Sequence, residues 1–285
     1  MTRAAARPVV RVEHGAARVE PDLVAREAPL TVDLRSGADG AAQTAGILMR
    51  TPGDDVDLVR GWLFTERLIG GVGDIVSIDG PGEEGTPDAE RVIVTVADSV
   101  NLDHVLRHRS LTPTSACGLC GRIAIDRLDA GGAAAVSPAG ADSRWPSSLI
   151  AGLPAALLTA QTVFAATGGL HAAGLFDDTG GIQFVREDIG RHNAVDKVIG
   201  AALGAGRLPG ECPILVVSGR VAFEIVQKAA VAGHRAVVAV GAPSDLAIDA
   251  ARSAGLTLVG FARDGRFNVY ARAERIAAGA PVPAA

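Results

Sequence analysis

Residues 213–262 read PILVVSGRVAFEIVQKAAVAGHRAVVAVGAPSDLAIDAARSAGLTLVGFA, and this stretch decides the fold. Short apolar runs at 213–217, 236–241 and 256–262 read as strands, and 221–232 and 244–254 between them carry apolar residues at helical spacing. Strands that are short and mostly followed by an amphipathic helix predict a layered α/β domain with helices covering both sheet faces. Working upstream, 192–203 reads as a helix. Residues 171–176 and 182–187 read as two strands joined by Asp177-Asp178-Thr179-Gly180-Gly181, and 154–166 as an Ala/Leu-rich helix ending at Gly168-Gly169.

The first third is of another kind. Extended runs at 9–12, 30–34, 46–49, 75–78 and 91–96 are separated by Gly, Pro and Asp, which predicts a β-rich region. One helix interrupts it: Thr51-Pro52-Gly53-Asp54 offers a turn and a cap. Val56, Val59, Trp62 and Leu63 then recur on one face, with Asp57 and Arg60 on the polar face. Residues 80–90, rich in Gly, Pro and acid, read as a hairpin tip or loop. The domain reading is therefore a β-rich N-terminal domain over 1–130, a linker over 131–150 rich in Ala, Gly, Ser and Pro, and an α/β domain over 151–285.

Composition narrows the function. At 285 residues with 48% apolar content the chain can bury a sizeable core, and a net charge of −5 leaves no broad positive field for nucleic acid. No apolar run reaches the ~20 residues that span a bilayer, and the first residues lack a signal-peptide core, so a cytoplasmic protein is expected. Three cysteines are an odd number, and the pair Cys117-Gly-Leu-Cys120 reads as chemistry or metal binding rather than a stapled fold.

That pair sits in Ser115-Ala-Cys-Gly-Leu-Cys-Gly121, ahead of a helix-like run over 122–128. Small neighbours leave the sulfurs uncrowded, and a helix N-terminus with Arg122 favours thiolate, the form that attacks a donor persulfide. A second thiol three residues on can hold or release the outer sulfur by exchange. A structural zinc site lacks a second Cys-x-x-Cys, with only Cys212 and scattered histidines to complete it. A thioredoxin-like pair would follow a buried strand rather than the polar Leu111-Thr-Pro-Thr-Ser115. A nucleobase deaminase would need an upstream His-x-Glu, which neither His104-Val-Leu nor His108-Arg-Ser supplies.

Three further motifs bear on ligand binding. Glu187-Asp-Ile-Gly-Arg-His-Asn-Ala-Val-Asp-Lys197 turns a strand into a helix through a glycine. It is either a ligand-binding junction, with Arg191 for phosphate and Asp188 or Asp196 for a base or for Lys197, or a capped helix with solvated charges. Val217-Ser-Gly-Arg220 opens a helix carrying Glu224 and Lys228, and strand, Ser-Gly-Arg, helix is a compact phosphate cradle. Ala242-Pro-Ser244 repeats the arrangement or simply caps its helix. Gly260-Phe-Ala-Arg-Asp-Gly-Arg-Phe-Asn-Val-Tyr270 reads as two strands about an Asp-Gly turn, either an ordinary hairpin or one whose arginines flank a pyrophosphate while Phe261 or Phe267 stacks on a ring.

Together with Gly169-Leu-His-Ala-Ala-Gly-Leu-Phe176, Met49-Arg-Thr-Pro-Gly-Asp-Asp55 and Thr65-Glu66, these motifs run in order from about residue 27 to 270. The sequence thereby resembles the formate dehydrogenase accessory sulfurtransferase family, FdhD. The resemblance implies a C-terminal three-layer α/β domain similar to cytidine deaminases without their activity, and a homodimer. It also implies a role as sulfurtransferase, taking sulfur from a cysteine desulfurase and passing it to the molybdenum cofactor with two pterin guanine dinucleotides, Mo-bis(molybdopterin guanine dinucleotide), for formate dehydrogenase. By motif, Cys117 is implied as the persulfide carrier, Cys120 as its helper, and Phe261, Ala262, Arg263, Asp264, Gly265 and Arg266 as a cofactor-binding segment. From their chemistry Arg191, His192 and Arg220 are assigned to the same guanine dinucleotide, with no metal held by the protein itself. The chain departs from the family pattern in carrying Arg67 where a glycine usually follows Thr-Glu, and in its Ala/Gly-rich linker.

Overall fold

The structure, a computed structural model, describes residues 2–37, 40–84, 86, 88–102 and 144–277. They form two compact units: residues up to 102 with 161–171 and 186–200, and residues 144–160, 172–185 and 201–277. The expected two-domain order along the chain is thus replaced by segments that alternate between units.

In the first unit, β1 (Ala4–Glu13) and β2 (Ala16–Ala25) make a separate hairpin. The second of these strands escapes a sequence reading because Pro21 stands in its middle. Strands β3 (Ala28–Ser36), β4 (Gln43–Arg50), β5 (Ile75–Asp79) and β6 (Arg91–Val96) form a sheet in the order β4-β3-β6-β5, with β3 and β6 parallel. Period-two alternation puts Leu30, Val32, Leu34, Val92, Val94 and Val96 on one face, where they bury Leu58, Val59, Trp62 and Leu63 of helix α1 (Asp55–Thr65). Each such side chain contributes roughly 1.5–3 kcal/mol. Val56, expected with them, is exposed. It lies about 90° from the centre of the stripe set by residues 58, 59, 62 and 63.

Asp54 takes the N-cap position of α1 but makes no cap hydrogen bond; its carboxylate pairs with Arg3 at 2.8 Å. Asp55 is buried instead, with Arg50 Nε 2.8 Å from its carboxylate. Helix α1 also meets a later helix backbone to backbone: a Cβ on Gly61 would stand 1.8 Å from the Asp196 carbonyl, and one on Gly200 1.9 Å from that of Asp57. Only glycine fits either position.

The second unit is built on β8 (His171–Phe176), β9 (Ile182–Asp188), β10 (Ile214–Val217), β11 (Ala236–Ala239), β12 (Thr257–Arg263) and β13 (Arg266–Ala271), in the order β13-β12-β11-β10-β8-β9. Strands β10, β11 and β12 are parallel; β8 and β13 run against them. Helix α2 (Ser147–Thr159) covers one face, packing Ile150, Leu153 and Leu157 on Phe176, Ile214, Val216, Val238 and Val259. The intervening Leu215, Val217, Val237 and Leu258 are as deeply buried on the opposite face, the side of the crossover helices α5 (Phe223–Val231) and α6 (Asp245–Ser253). Burial on both faces is what makes these strands read as continuous apolar runs. The α/β expectation and its three layers are met.

Two local expectations fail. The helix expected over 154–166 is two helices, α2 and α3 (Thr162–Thr167), with Pro154 inside α2 rather than opening it. The carboxylate of Glu187 accepts from the amides of Val163 and Phe164 at 2.9 and 2.7 Å, so α3 has its own capped start, and it ends on Gly168 at φ 68°. The linker expected to run to residue 150 stops earlier, because Trp145 and Pro146 form strand β7, which pairs with β14 (Ile276–Ala277). Trp145 is fully buried. Its Nε1 donates to Asp178 at 2.8 Å and its ring lies 5.5 Å from the Arg235 guanidinium, which also pairs with Asp178. Helix α4 (Arg191–Gly204) completes the described helices, none of which is long and apolar enough to cross a membrane.

In the second unit His234 is buried with Nδ1 2.7 Å from the Cys212 carbonyl, and burial holds its pKa down at about 4. The unfolded chain binds a proton near pH 6.5 that the folded chain refuses, so this residue's contribution to stability falls as pH drops from about 6.5 towards 4. The unfolding free energies of wild type and His234→Leu should therefore converge by up to about 1.4 kcal/mol per pH unit across that window in urea titrations. A difference independent of pH would contradict a neutral buried imidazole.

Candidate functional site

Cys117 and Cys120, the sharpest chemical signal in the sequence, lie outside the described residues. The remaining predicted residues fall into two groups, one in each unit.

In the first unit the 187–197 motif proves largely structural. Asp188 is completely buried and its acceptor sites are filled: Thr51 N at 3.0 Å and Lys197 Nζ at 2.7 Å on one oxygen, Gly190 N at 2.9 Å and Asn193 Nδ2 at 3.0 Å on the other. Lys197, equally buried, also donates to the Thr51 carbonyl at 2.8 Å, and Asn193 to that of Met49 at 2.7 Å. Asp196 accepts from the Thr65 hydroxyl at 2.7 Å. The carboxylates that the sequence offers to a ligand base are thus committed within the first unit, holding residues 187–197 to the segment 49–51 and to α1. Arg191 and His192 are half-buried in the first turn of α4.

In the second unit the candidate residues gather at the carboxyl ends of β10, β11 and β12. Ser218 extends the β10 pairing by one residue: its amide donates to the Ala172 carbonyl at 3.0 Å and its hydroxyl oxygen accepts from the Ala172 amide at 2.9 Å. The chain then turns through Gly219 and the exposed Arg220. Gly241 N donates to the Gly219 carbonyl and Phe261 N to the Gly241 carbonyl, each at 3.1 Å. These bonds join the three strand ends into one ledge about 10 Å wide, two interstrand spacings. A Cβ on Gly241 would stand 2.8 Å from the Gly219 oxygen, and one on Gly260 2.8 Å from Pro243 Cδ, so the ledge requires glycine at both. Ser244 caps α6 through a bond from Ala247 N at 3.2 Å, the capping alternative for that motif. Ala222, at the N-cap of α5, has no side chain that can do so. The amides at the start of α5 beside Arg220 therefore lack a side-chain cap, as a phosphate cradle needs.

The ledge continues into the β12–β13 hairpin. Asp264 and Gly265, at φ 53° and 75°, make the tight turn, with Arg263 opposite Arg266 and all four residues exposed. A bulge between Gly260 and Arg263 sets Phe261 at φ 53°, a conformation costly for a bulky residue, and leaves the residue 40% exposed. Phe267 is partly buried against the core, so of the two rings proposed for stacking Phe261 is the more exposed. Ala262, in the same segment, is fully buried in the α2 cluster. A shallow cavity of about 400 Å³ in the first unit, lined by Arg35, Val76, Ser77, Thr95 and Asp98, contains none of the predicted residues.

Sequence reasoning missed the Trp145–Asp178–Arg235 cluster and the deep burial of Lys228 on α5. A lone tryptophan at the end of an Ala/Gly-rich stretch was the available signal for the first.

The described residues build a mixed α/β fold with glycine-built strand ends and exposed arginines, and comparison with known proteins gives its class. Residues 25–277 match the FdhD/NarQ family, and the chain belongs to it. It is 42% identical over 274 residues to the sulfur carrier protein FdhD of Streptomyces avermitilis, covering 95% of each chain. It is 45% identical over 282 residues to that of Nocardia farcinica, covering 95% of this chain and 94% of the relative. A crystal structure described as a formate dehydrogenase accessory protein, from Desulfotalea psychrophila, superposes with a TM-score of 0.70 at 25% identity, over 96% of this chain and 100% of that one.

Removing a partner from a buried ion pair costs about 3–5 kcal/mol. Asp188→Ala should lower the urea midpoint accordingly, whereas Arg220→Ala, at an exposed position, should stay within about 0.5 kcal/mol of wild type. An Asp188→Ala chain of wild-type stability would make that carboxylate a ligand-binding candidate again.

Proposed function

We propose that this chain is a sulfur carrier that serves formate dehydrogenase, and that it works as a sulfurtransferase through a persulfide on Cys117. The observation that carries the reading is family membership across residues 25–277 with Cys117-Gly-Leu-Cys120 inside that span. The Cys117 thiolate attacks the outer sulfur of a cysteine desulfurase persulfide. The donor S–S bond breaks, the desulfurase thiolate leaves with the electron pair, and the sulfur is now the outer atom of a Cys117 persulfide. Cys120, three residues on, helps release that sulfur by thiol exchange.

The acceptor is the molybdenum cofactor bearing two guanine dinucleotides, a substrate of this protein and not a resident group. Its anionic ends suit the ledge of the second unit: Arg220 and the amides at the start of α5 for phosphate, Arg263 and Arg266 as forked donors, Phe261 as a stacking ring. Arg191 and His192, at the start of the 14-residue helix α4, are assigned to the same ligand on their chemistry as cation and imidazole. The protein is expected to act in the cytoplasm.

Incubation with a cysteine desulfurase and cysteine should add about one sulfur atom to the intact mass of the wild type and of Cys120→Ala, removable by dithiothreitol and absent in Cys117→Ala. A wild type that gains no sulfur would contradict the carrier role.

A further inference from the structure

The β12–β13 hairpin ends in Phe267-Asn-Val-Tyr270, a motif that the ledge leaves unused. Phe267 and Val269 pack towards the α2 cluster, so alternation along β13 sends Arg266 and Asn268 to the other face. Both are exposed. Asn268 stands directly opposite Gly260, which has no side chain to cover it.

Two register shifts bracket the Gly260–Asn268 pair, one on each strand. The shift between Gly260 and Arg263 sets Phe261 at φ 53° and 40% exposed. The shift between Leu258 and Val259 makes Tyr270 an extra residue on β13, opposite no residue of β12. Its ring lies over Gly260: a Cβ there would stand 3.1 Å from Tyr270 Cε2, 2.8 Å from Pro243 Cδ and 3.2 Å from the Gly241 carbonyl oxygen. Bulges re-aim side chains, and here each one brings an aromatic residue beside the same glycine.

The polar groups have fixed roles. Asn268 Nδ2 donates to the Tyr270 hydroxyl at 3.3 Å, which leaves Oδ1 as the amide's open acceptor among the described residues. The phenol, having accepted that bond, still has its own proton to give. An acceptor and a donor thus stand side by side at a niche with an aromatic wall. Arg266 follows on the same face of β13, roughly 7 Å from Asn268 along the strand, about the reach from a nucleotide's first phosphate to its base.

We propose that Asn268 and Tyr270 read the amino-oxo pyrimidine edge of the ligand's guanine, leaving its phosphates to Arg263 and Arg266. The inference rests on the cofactor site proposed for the ledge. Guanine offers two neighbouring donors, N1–H and N2–H2, that converge on one acceptor such as Oδ1, and O6 to take the phenol proton. Adenine offers one amine and a bare ring nitrogen, one bond fewer. A pterin ring carries the same amino-oxo edge, so it is the other source that the test must separate.

Isothermal titration of the full chain compares GDP, ADP, neopterin and pyrophosphate across wild type, Asn268→Ala and Tyr270→Phe. The wild type should prefer GDP to ADP. Asn268→Ala should weaken GDP about tenfold and erase that preference, with pyrophosphate binding unchanged. Tyr270→Phe keeps the ring on Gly260 and should also weaken GDP alone. Binding of neopterin rather than GDP that depends on Asn268 would support the edge reading and assign it to the pterin. GDP affinity unchanged in both variants, or lost together with pyrophosphate, would overturn the proposal and leave the ledge standing. A wild type that binds neither GDP nor pyrophosphate would overturn the ledge and the proposal with it. Should Asn268→Ala lose its fold, Tyr270 decides the matter as the chain's only tyrosine. GDP should perturb its ultraviolet band in the wild type where pyrophosphate does not, and an unperturbed band refutes the contact.

Discussion

Two hydrogen bonds, Gly241 N to the Gly219 carbonyl and Phe261 N to the Gly241 carbonyl, fix the geometry of the strand ends on which the proposed binding site of the second unit depends. Parallel strands buried on both faces have room for polar groups only at their ends, and here three carboxyl ends are stitched together. The stitching demands glycine at 241 and 260, because any side chain there would collide with backbone or proline. It also sets the bulge that turns Phe261 outward while Ala262 stays in the core. Arg220, the start of α5 and the Arg263–Arg266 turn inherit their places from it.

Much of this was legible in the sequence, for identifiable reasons. Continuous apolar runs such as Ile214–Val217 and Ala236–Ala239 announce strands covered on both sides, and Asp264-Gly265 between two strands announces a tight hairpin. Legibility ends where tertiary contacts override local signals. Pro154 looks like a helix start and lies inside α2; Pro21 argues against a strand and is accommodated because it sits on an open edge opposite Pro8. Trp145 turns the end of an apparent linker into core, held by Asp178 and Arg235 far along the chain.

The dense polar motif at 187–197 teaches the opposite lesson. Its charge reads as a ligand site, yet Asp188, Asn193, Asp196 and Lys197 spend themselves on Thr51, Met49 and Thr65, residues that no local pattern connects to them. Glu187 caps α3 in the same way. A buried carboxylate must have every acceptor filled, and the density of polar residues is how this sequence fills them. This motif therefore builds the scaffold, and the proposed chemistry rests on the strand ends and the cysteine pair instead.

The central claim, that sulfur leaves Cys117 for the guanine dinucleotide cofactor, is tested most directly by loading the protein with radiolabelled persulfide. It is then mixed in single turnover with inactive, cofactor-loaded formate dehydrogenase. The account predicts label passing to the dehydrogenase in step with the appearance of activity, and neither event with Cys117→Ala. Activity that appears while the label stays on the carrier, or that appears with Cys117→Ala, would contradict it.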